Sequence, residues 1–265
     1  MKQGTISNKR KLTILYIVLA LCVGSAAIFA AGLALELRAK QNVHSFYESL
    51  DVGFDTRPVA KVPDADDPPT PPDPVVEHIP FIDFTSMGET IPDIVGWLQS
   101  YGTVINYPVV HGSDNDFYLS HLPDKSKNKL GAIFLDYRNS ADFSDKNILI
   151  YGHNMGSGDM FGSLKSYTEQ GYFEQHSSML LFTPNADYKL VLYAGYILDS
   201  AYELPPIHFN DQADFDAYIS DITSRSLFKS DAEVSFGDQL VFLCTCTPSR
   251  LKSERFIIVC NLVRL

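Results

Sequence analysis

Residues 12–35 carry no charged side chain, and this run constrains the chain more than any other part of it. At about 1.5 Å rise per residue a helix of this length reaches roughly 36 Å, enough to cross a hydrocarbon core of about 30 Å. It is longer than the ~7–15-residue apolar stretch of a cleaved signal peptide. Lys2, Lys9, Arg10 and Lys11 precede it, with no acid among residues 1–11. That asymmetry holds residues 1–11 in the cytoplasm and puts everything after the span outside the membrane. Cys22 raises the question of a lipid anchor, because Leu19 stands three residues before it. Leu21, however, occupies the place where a lipoprotein signal needs a small side chain, so Cys22 reads as an apolar cysteine of the spanning helix.

The rest of the chain must then fold in water. Residues 36–55 mix charge with apolar spacing (Glu36, Leu37, Arg38, Phe46, Tyr47, Leu50) and predict a helix leaving the membrane. Residues 63–74 hold six prolines and four aspartates, a composition that forms no packed core and favours extended polyproline geometry. The layout is a cytoplasmic tail over 1–11, a membrane anchor over 12–35, a helical and proline-rich stalk over 36–78, and a folded domain over 79–265. The net charge is −11, and the four basic residues among the first eleven leave −15 for the remainder. Such an acidic exterior argues against nucleic acid or anionic lipid as a partner. A solvated surface that repels its neighbours accounts for the acid, and no loop has the ligand spacing of an EF-hand.

Within 79–265 the pattern is strand-rich. Residues 103–110, 132–135, 147–151, 179–183, 188–198, 239–245 and 256–263 are β-branched or aromatic runs bounded by turn residues. Ser86 with Glu89 three residues on reads as a capping box ahead of a helix over 91–99. Residues 159–165 and 211–223 also read as helices. Closely spaced strands with helices inserted between only some of them fit a closed, mainly antiparallel β-barrel. There is no internal repeat.

The chemistry gathers at the C-terminal end. Three cysteines lie beyond the span, Cys244, Cys246 and Cys260, so at least one stays a thiol within the chain. A CxC pair on a strand is a poor disulfide because an extended backbone holds both residues on one face, and no second pair gives a zinc site. Cys246 ends an apolar run and precedes Pro248, which cannot continue a central strand. It therefore sits at a strand exit, although burial in the core is the usual fate of a cysteine and Cys244 remains equally open as the reactive one. Among the seven histidines, His44 and His78 lie outside the folded domain. His153 directly follows an apolar strand within a Gly/Asn turn, and its plain alternative is a turn histidine bonded to local backbone. His111 is next. Arg255 opens the run Phe256-Ile257-Ile258-Val259, nine residues after Cys246. An edge charge is the common role for such an arginine, whereas at a neighbouring strand end it donates to an oxyanion or holds a carbonyl. Arg250 in the loop is the other candidate.

Several segments resemble the class B sortases, the cysteine transpeptidases of Gram-positive cell surfaces. These are Gly96-Trp97-Leu98, Ile105-Asn106-Tyr107-Pro108-Val109-Val110, Asp114-Asn115-Asp116-Phe117-Tyr118-Leu119, the stretch from Gly131 to Asn139, the stretch from Asn147 to Met155, Leu243-Cys244-Thr245-Cys246 and Arg255. The resemblance covers residues 79–265 and extends to the anchor and stalk. It implies a sortase-like barrel with Cys246 as nucleophile, His153 as proton donor and acceptor, and Arg255 as the oxyanion or substrate-orienting cation. It also implies that Asn115 and Leu119 help line a groove for the sorting signal, with Thr245 beside the nucleophile. One departure is visible: the family's Thr-Leu-x-Thr-Cys begins here with Phe242, and its variable position is Cys244. We expect altered packing at Phe242 and unchanged chemistry.

The implied reaction is a ping-pong transpeptidation. Cleavage after a threonine in a sorting signal leaves a thioacyl-enzyme, and an amine of a peptidoglycan precursor, or of a pilin lysine, then takes the protein. Thiolate attack needs no metal and no cofactor. The partners implied are surface proteins bearing sorting signals, the acceptor amine and the membrane through residues 12–35. A secreted cysteine peptidase is the first rival, using the same groups with water as acceptor. A non-catalytic redox or adhesion module built on Cys244 and Cys246 is the second. Asp136 is the carboxylate nominated to orient His153.

Overall fold

α1 runs unbroken from Asn8–Ser49, 42 residues in one helix. The computed structural model describes residues 8–50, 55–59, 77–199, 204–246 and 254–265 and divides into two compact units, Met1–Asp51 and Val52–Leu265. In the first unit, the 20 residues Leu15–Ala34 are long and apolar enough to cross a membrane, and none of that stretch is buried in protein. Leu15, Ile17, Leu21, Ile28 and Phe29 all point outward, as they must where lipid takes the place of a protein core. α1 is thus a single-pass anchor. The helix expected beyond the membrane is its direct continuation.

The second unit opens with a feature the sequence pattern did not predict. β1 (Asp55–Val59) and β2 (Glu77–Phe81) form a two-stranded antiparallel sheet with Thr56 opposite Pro80. The proline-rich stretch 63–74 between them lies outside the described residues.

Eight further strands close into a barrel. They are β3 (Ile94–Gln99), β4 (Asn106–His111), β5 (Ile133–Leu135), β6 (Asn147–His153), β7 (Ser178–Phe182), β8 (Asp187–Asp199), β9 (Leu240–Cys246) and β10 (Glu254–Arg264). The order around the barrel is β10-β8-β7-β3-β4-β5-β6-β9, closing on β10. Closure leaves no open sheet edge for another chain to pair with. Six of the eight pairings are antiparallel, while β4–β5 and β6–β9 are parallel. The closed, mainly antiparallel barrel expected from the strand spacing is therefore present. The parallel β6–β9 pair needs a long crossover, and the chain from Asn154 to Gln239 supplies it with β7, β8 and the intervening helices. Trp97, Leu98, Ile133, Leu149, Ile150, Leu181, Leu243 and Ile258 are all buried in the barrel. The Trp97 indole N–H meets its partner, Asn106 Oδ1, at 2.8 Å.

The helix expected over 91–99 is not there. The helix comes earlier, as α2 (Phe84–Thr90), and is capped not by Ser86 but by Asp83, whose carboxylate accepts from the N–H groups of Thr85 and Ser86. Pro92 explains the stop, since a residue preceding proline is pushed out of helical geometry. Residues 94–99 then become β3, paired to β4 on one side and β7 on the other. Tertiary pairing of Ile94, Trp97 and Leu98 decides a segment whose local signal favoured helix. Residues 161–168 form a 3-10 segment, Phe161–Thr168, displaced from the helix expected over 159–165. It is followed by an unforeseen short helix, α3 (Gln170–Gln175). α4 (Gln212–Ser224) lies one residue from its expected bounds, and Asp211 accepts from Asp214 N at 2.9 Å as its N-cap.

Candidate active site

The parallel pairing of β6 with β9 brings two distant parts of the sequence side by side. Its register sets Tyr151 against Cys244, Gly152 against Thr245 and His153 against Cys246. On the other flank, β10 pairs with β9 so that Ile257 faces Cys244. That pairing ends at Ile257 opposite Cys244, and Arg255, two residues earlier on β10, pairs with Leu198 of β8. At this end of the barrel His153 therefore stands against Cys246, and Arg255 against Leu198. The row one residue pair deeper reads Tyr151, Cys244, Ile257, Tyr196.

The deeper row is sealed. Cys244 is 0% exposed and its thiol leans on the Phe242 carbonyl at 3.7 Å. The Tyr196 hydroxyl meets the Tyr218 hydroxyl of α4 at 2.7 Å, and Tyr218 lies edge-on to Phe242 with ring centroids 6.2 Å apart. α4 thus packs against the side of β9 that carries Phe242. Phe242, where the sequence departs from the family pattern, is fully buried. Burial pushes the ionisation of both tyrosine hydroxyls up, so they stay neutral. Cys260 is also fully buried, and burial pushes its thiol far up. A thiol that cannot ionise is no nucleophile. Of the three cysteines beyond the span, Cys244 and Cys260 are closed off inside the wall, and Cys246 stands at the strand's end.

His153 is 6% exposed. Its Nε2 lies 2.6 Å from the Leu119 carbonyl oxygen, while Nδ1 is buried without a hydrogen-bond partner among the described residues. Asp136, nominated to orient it, does something else. It is fully buried and takes donors from Asn115 Nδ2 at 3.1 Å, Tyr151 Oη at 2.9 Å, and Arg138 Nε and Nη2 at 2.8 and 2.7 Å. None of these is His153. The histidine is held by a main-chain carbonyl, and the nomination of Asp136 is corrected accordingly. Burial alone would raise the Asp136 carboxyl, but its donors, Arg138 first, outweigh that and hold it below the ordinary value.

The remaining expected site residues sit in one neighbourhood with different tasks. Asn115 is half-buried, donates to Asp136, and accepts the Tyr137 N–H at 3.0 Å. Leu119 is half-buried and gives its carbonyl to His153. Thr245 is 1% exposed, and its hydroxyl accepts the Phe256 N–H at 2.8 Å. That bond ties the residue before Cys246 to the residue after Arg255. Arg255 is half-buried at the start of β10. The next-ranked histidine, His111, closes β4, which pairs with β3 and β5 and not with β9. Sequence reasoning missed Gly131. It has φ +62°, and a Cβ there would lie 2.5 Å from the Tyr118 carbonyl oxygen and 3.1 Å from His153 Cδ2. Its sequence signal was a glycine directly ahead of an apolar run, a mark of close backbone approach. Among the described residues no cluster of His, Cys, Asp or Glu is placed to hold a metal ion.

This geometry has relatives. The family model of the sortase domain matches residues 99–263. Sortase B of Listeria monocytogenes is 34% identical over 172 residues, covering 64% of this chain and 70% of that protein. The crystal structure of sortase B from Bacillus anthracis in complex with AAEK1 is similar at a TM-score of 0.70, with 26% identity over 86% of this chain and 100% of that one. The Staphylococcus aureus sortase B–substrate complex gives a TM-score of 0.66 and 27% identity, over 69% of this chain and 85% of that one. The single N-terminal apolar helix is a single-pass membrane anchor and the barrel an extracellular domain, as an enzyme working on exported proteins requires. The chain belongs to the sortase family, as a sortase B-type cysteine transpeptidase that processes a sorting signal and attaches surface proteins to the cell wall.

Proposed function

We propose that Cys246 is the nucleophile, His153 the proton donor and acceptor, and Arg255 the cation that steadies the oxyanion. The observation that supports this is the register setting His153 against Cys246 where β6 meets β9, with Arg255 at the start of β10, the other neighbour of β9. Paired residues on neighbouring strands stand on the same side of a sheet. The Cys246 thiolate attacks the carbonyl after a threonine in the sorting signal. Arg255 stabilises the tetrahedral oxyanion, and His153 protonates the leaving amine. An amine of a peptidoglycan precursor then attacks the thioacyl-enzyme, gives its proton to His153, and carries the protein away. The stretch holding Asn115 and Leu119 is read as one wall of the groove for the signal. Thr245 is read as the residue that fixes Cys246 relative to Arg255. Residues 1–11 are the cytoplasmic tail, 12–35 the anchor, 36–78 the stalk and 79–265 the catalytic domain of this reading.

The test is incubation with a threonine-containing sorting peptide and hydroxylamine. A hydroxamate that forms with the native chain and not with Cys246→Ala is the expected result. If no class B-type signal yields one, the transpeptidase assignment to this site fails. Product analysis with and without an added amine separates transfer from simple peptidase action, and a lysine-bearing pilin peptide in place of a peptidoglycan stem peptide separates the two acceptors.

A further inference from the structure

The two ring nitrogens of His153 are in opposite situations. Nε2 lies 2.6 Å from the Leu119 carbonyl oxygen, and a carbonyl has no proton to give, so Nε2 carries the hydrogen. Nδ1 has no partner among the described residues although it is buried. The neutral ring is therefore fixed with its lone pair on Nδ1.

The segment that carries the Leu119 carbonyl is held at three points. Asp114 Oδ1 accepts from the N–H groups of Asp116 and Phe117, both at 2.8 Å, which sets the turn leading to Leu119. The Asn115 side chain clamps the same segment to the exit of β5, donating to Asp136 at 3.1 Å and accepting from Tyr137 N at 3.0 Å. Ala132 N donates to the Tyr118 carbonyl at 2.9 Å. Gly131 lies between segment and ring. A Cβ on it would come 2.5 Å from the Tyr118 oxygen, 3.1 Å from the Leu119 oxygen and 3.1 Å from His153 Cδ2, at a φ of +62° that side chains avoid. A side chain at position 131 pushes the carbonyl and the imidazole apart.

We propose that His153 exchanges protons through Nδ1, and that Gly131 and the Asn115–Asp136 clamp are positioning residues that keep the Leu119 carbonyl on Nε2. This rests on the reading of Cys246 and His153 as the reacting pair. The Cys246 thiol proton passes to Nδ1, leaving thiolate and imidazolium. The S–C bond then forms, and Nδ1–H gives its proton to the departing amine as the C–N bond breaks. In the second half Nδ1 takes a proton from the attacking amine, a new C–N bond forms, and the thiolate leaves. Nε2 keeps its hydrogen on Leu119 throughout. The Asn115 amide is in this account a strut and not a contact to the signal.

The experiment uses the full chain in detergent micelles with ¹⁵N-labelled histidine, His153 being assigned by its loss in His153→Gln. At a pH where the ring is neutral, Nε2 is expected to be protonated and Nδ1 bare. A ring protonated on Nδ1, or one averaging between the two forms, overturns the proposal. Asn115→Ala and Gly131→Ala are expected to produce that averaging and to lower kcat about ten- to a hundredfold, the scale of a small misplacement of a reacting group, while KM stays within about twofold. Asn115→Ala raising KM with kcat unchanged overturns the clamp and makes Asn115 a substrate contact. The native spectrum needs no peptide. A hydroxamate formed by an Nδ1–H ring sinks this proposal alone, and the expected ring without any hydroxamate sinks the transpeptidase assignment alone.

Discussion

One row of residues crosses four strands, and the positions one residue pair beyond it behave as a different material. Tyr151, Cys244, Ile257 and Tyr196 are each at most 2% exposed, and their polar groups are bonded to Asp136, the Phe242 carbonyl and Tyr218. Two residues further along β6 and β10, His153 Nδ1 has no hydrogen-bond partner among the described residues and Arg255 is half-buried. Buried polar atoms without partners are rare in folded proteins, so this ring nitrogen sets the end of β6 apart from the wall beneath it.

The comparison is most easily broken at its two cysteines. Cys246→Ala is expected to reduce peptide transfer by roughly 10⁴-fold or more, as the loss of a nucleophile does in enzymes whose groups act as a unit. Single-turnover detection of the thioacyl-enzyme checks it, and residual acylation in this variant would move the nucleophile elsewhere. Next in size is Arg255→Ala, expected to lower kcat by roughly 10²–10³-fold, the scale of one oxyanion donor. Arg255→Lys keeps the charge and loses the planar fork, so it recovers only part of the rate. A full recovery would show that a point charge suffices at this strand end.

The barrel was legible because alternation and turn chemistry agree over most of its strands. The proposed site residues stand out in the sequence because they sit where apolar runs stop: Cys246 before Pro248, His153 after Tyr151-Gly152, Arg255 before Phe256. What escaped was set by pairing across the fold. Residues 94–99 carry a helix-like approach and become a strand only because β4 and β7 flank them. The partner of His153 is a backbone oxygen of residue 119, and a carbonyl leaves no signature in a string of side chains. Asp136 attracted attention as the nearby carboxylate, yet its oxygens are occupied by Arg138, Tyr151 and Asn115. Composition says which groups exist, while only the register says which of them remain free.

A subtler trial concerns Cys244, which shares its strand with Cys246 and lies one pair deeper. Cys244→Ala removes a buried sulfur from the saturated row, at a cost of roughly 1 kcal/mol, typical of single substitutions. A urea midpoint measures that loss. Transfer at 25 °C is expected to stay within a few-fold of the native chain. A folded Cys244→Ala protein that is inactive would erase the distinction between that row and the positions beyond it.

A pH-dependent effect is expected at Asp136, the group that joins Tyr151 on one side to Asn115 on the other. Burial works to raise its carboxyl, and the donors of Arg138, Tyr151 and Asn115 more than reverse that. An unfolded aspartate takes up its proton near about 3.9, and the folded group stays ionised to lower pH. Its contribution is therefore complete above the unfolded value and disappears as pH falls through the folded one. Asp136→Asn has no such slope. The variant is expected to melt below the native chain at pH 7, with the gap between them narrowing below about pH 4. A melting series from neutral to strongly acid pH reads this directly. A gap that stays constant would mean that Asp136 holds its neighbours by shape alone, and that its ionised form contributes nothing to their support.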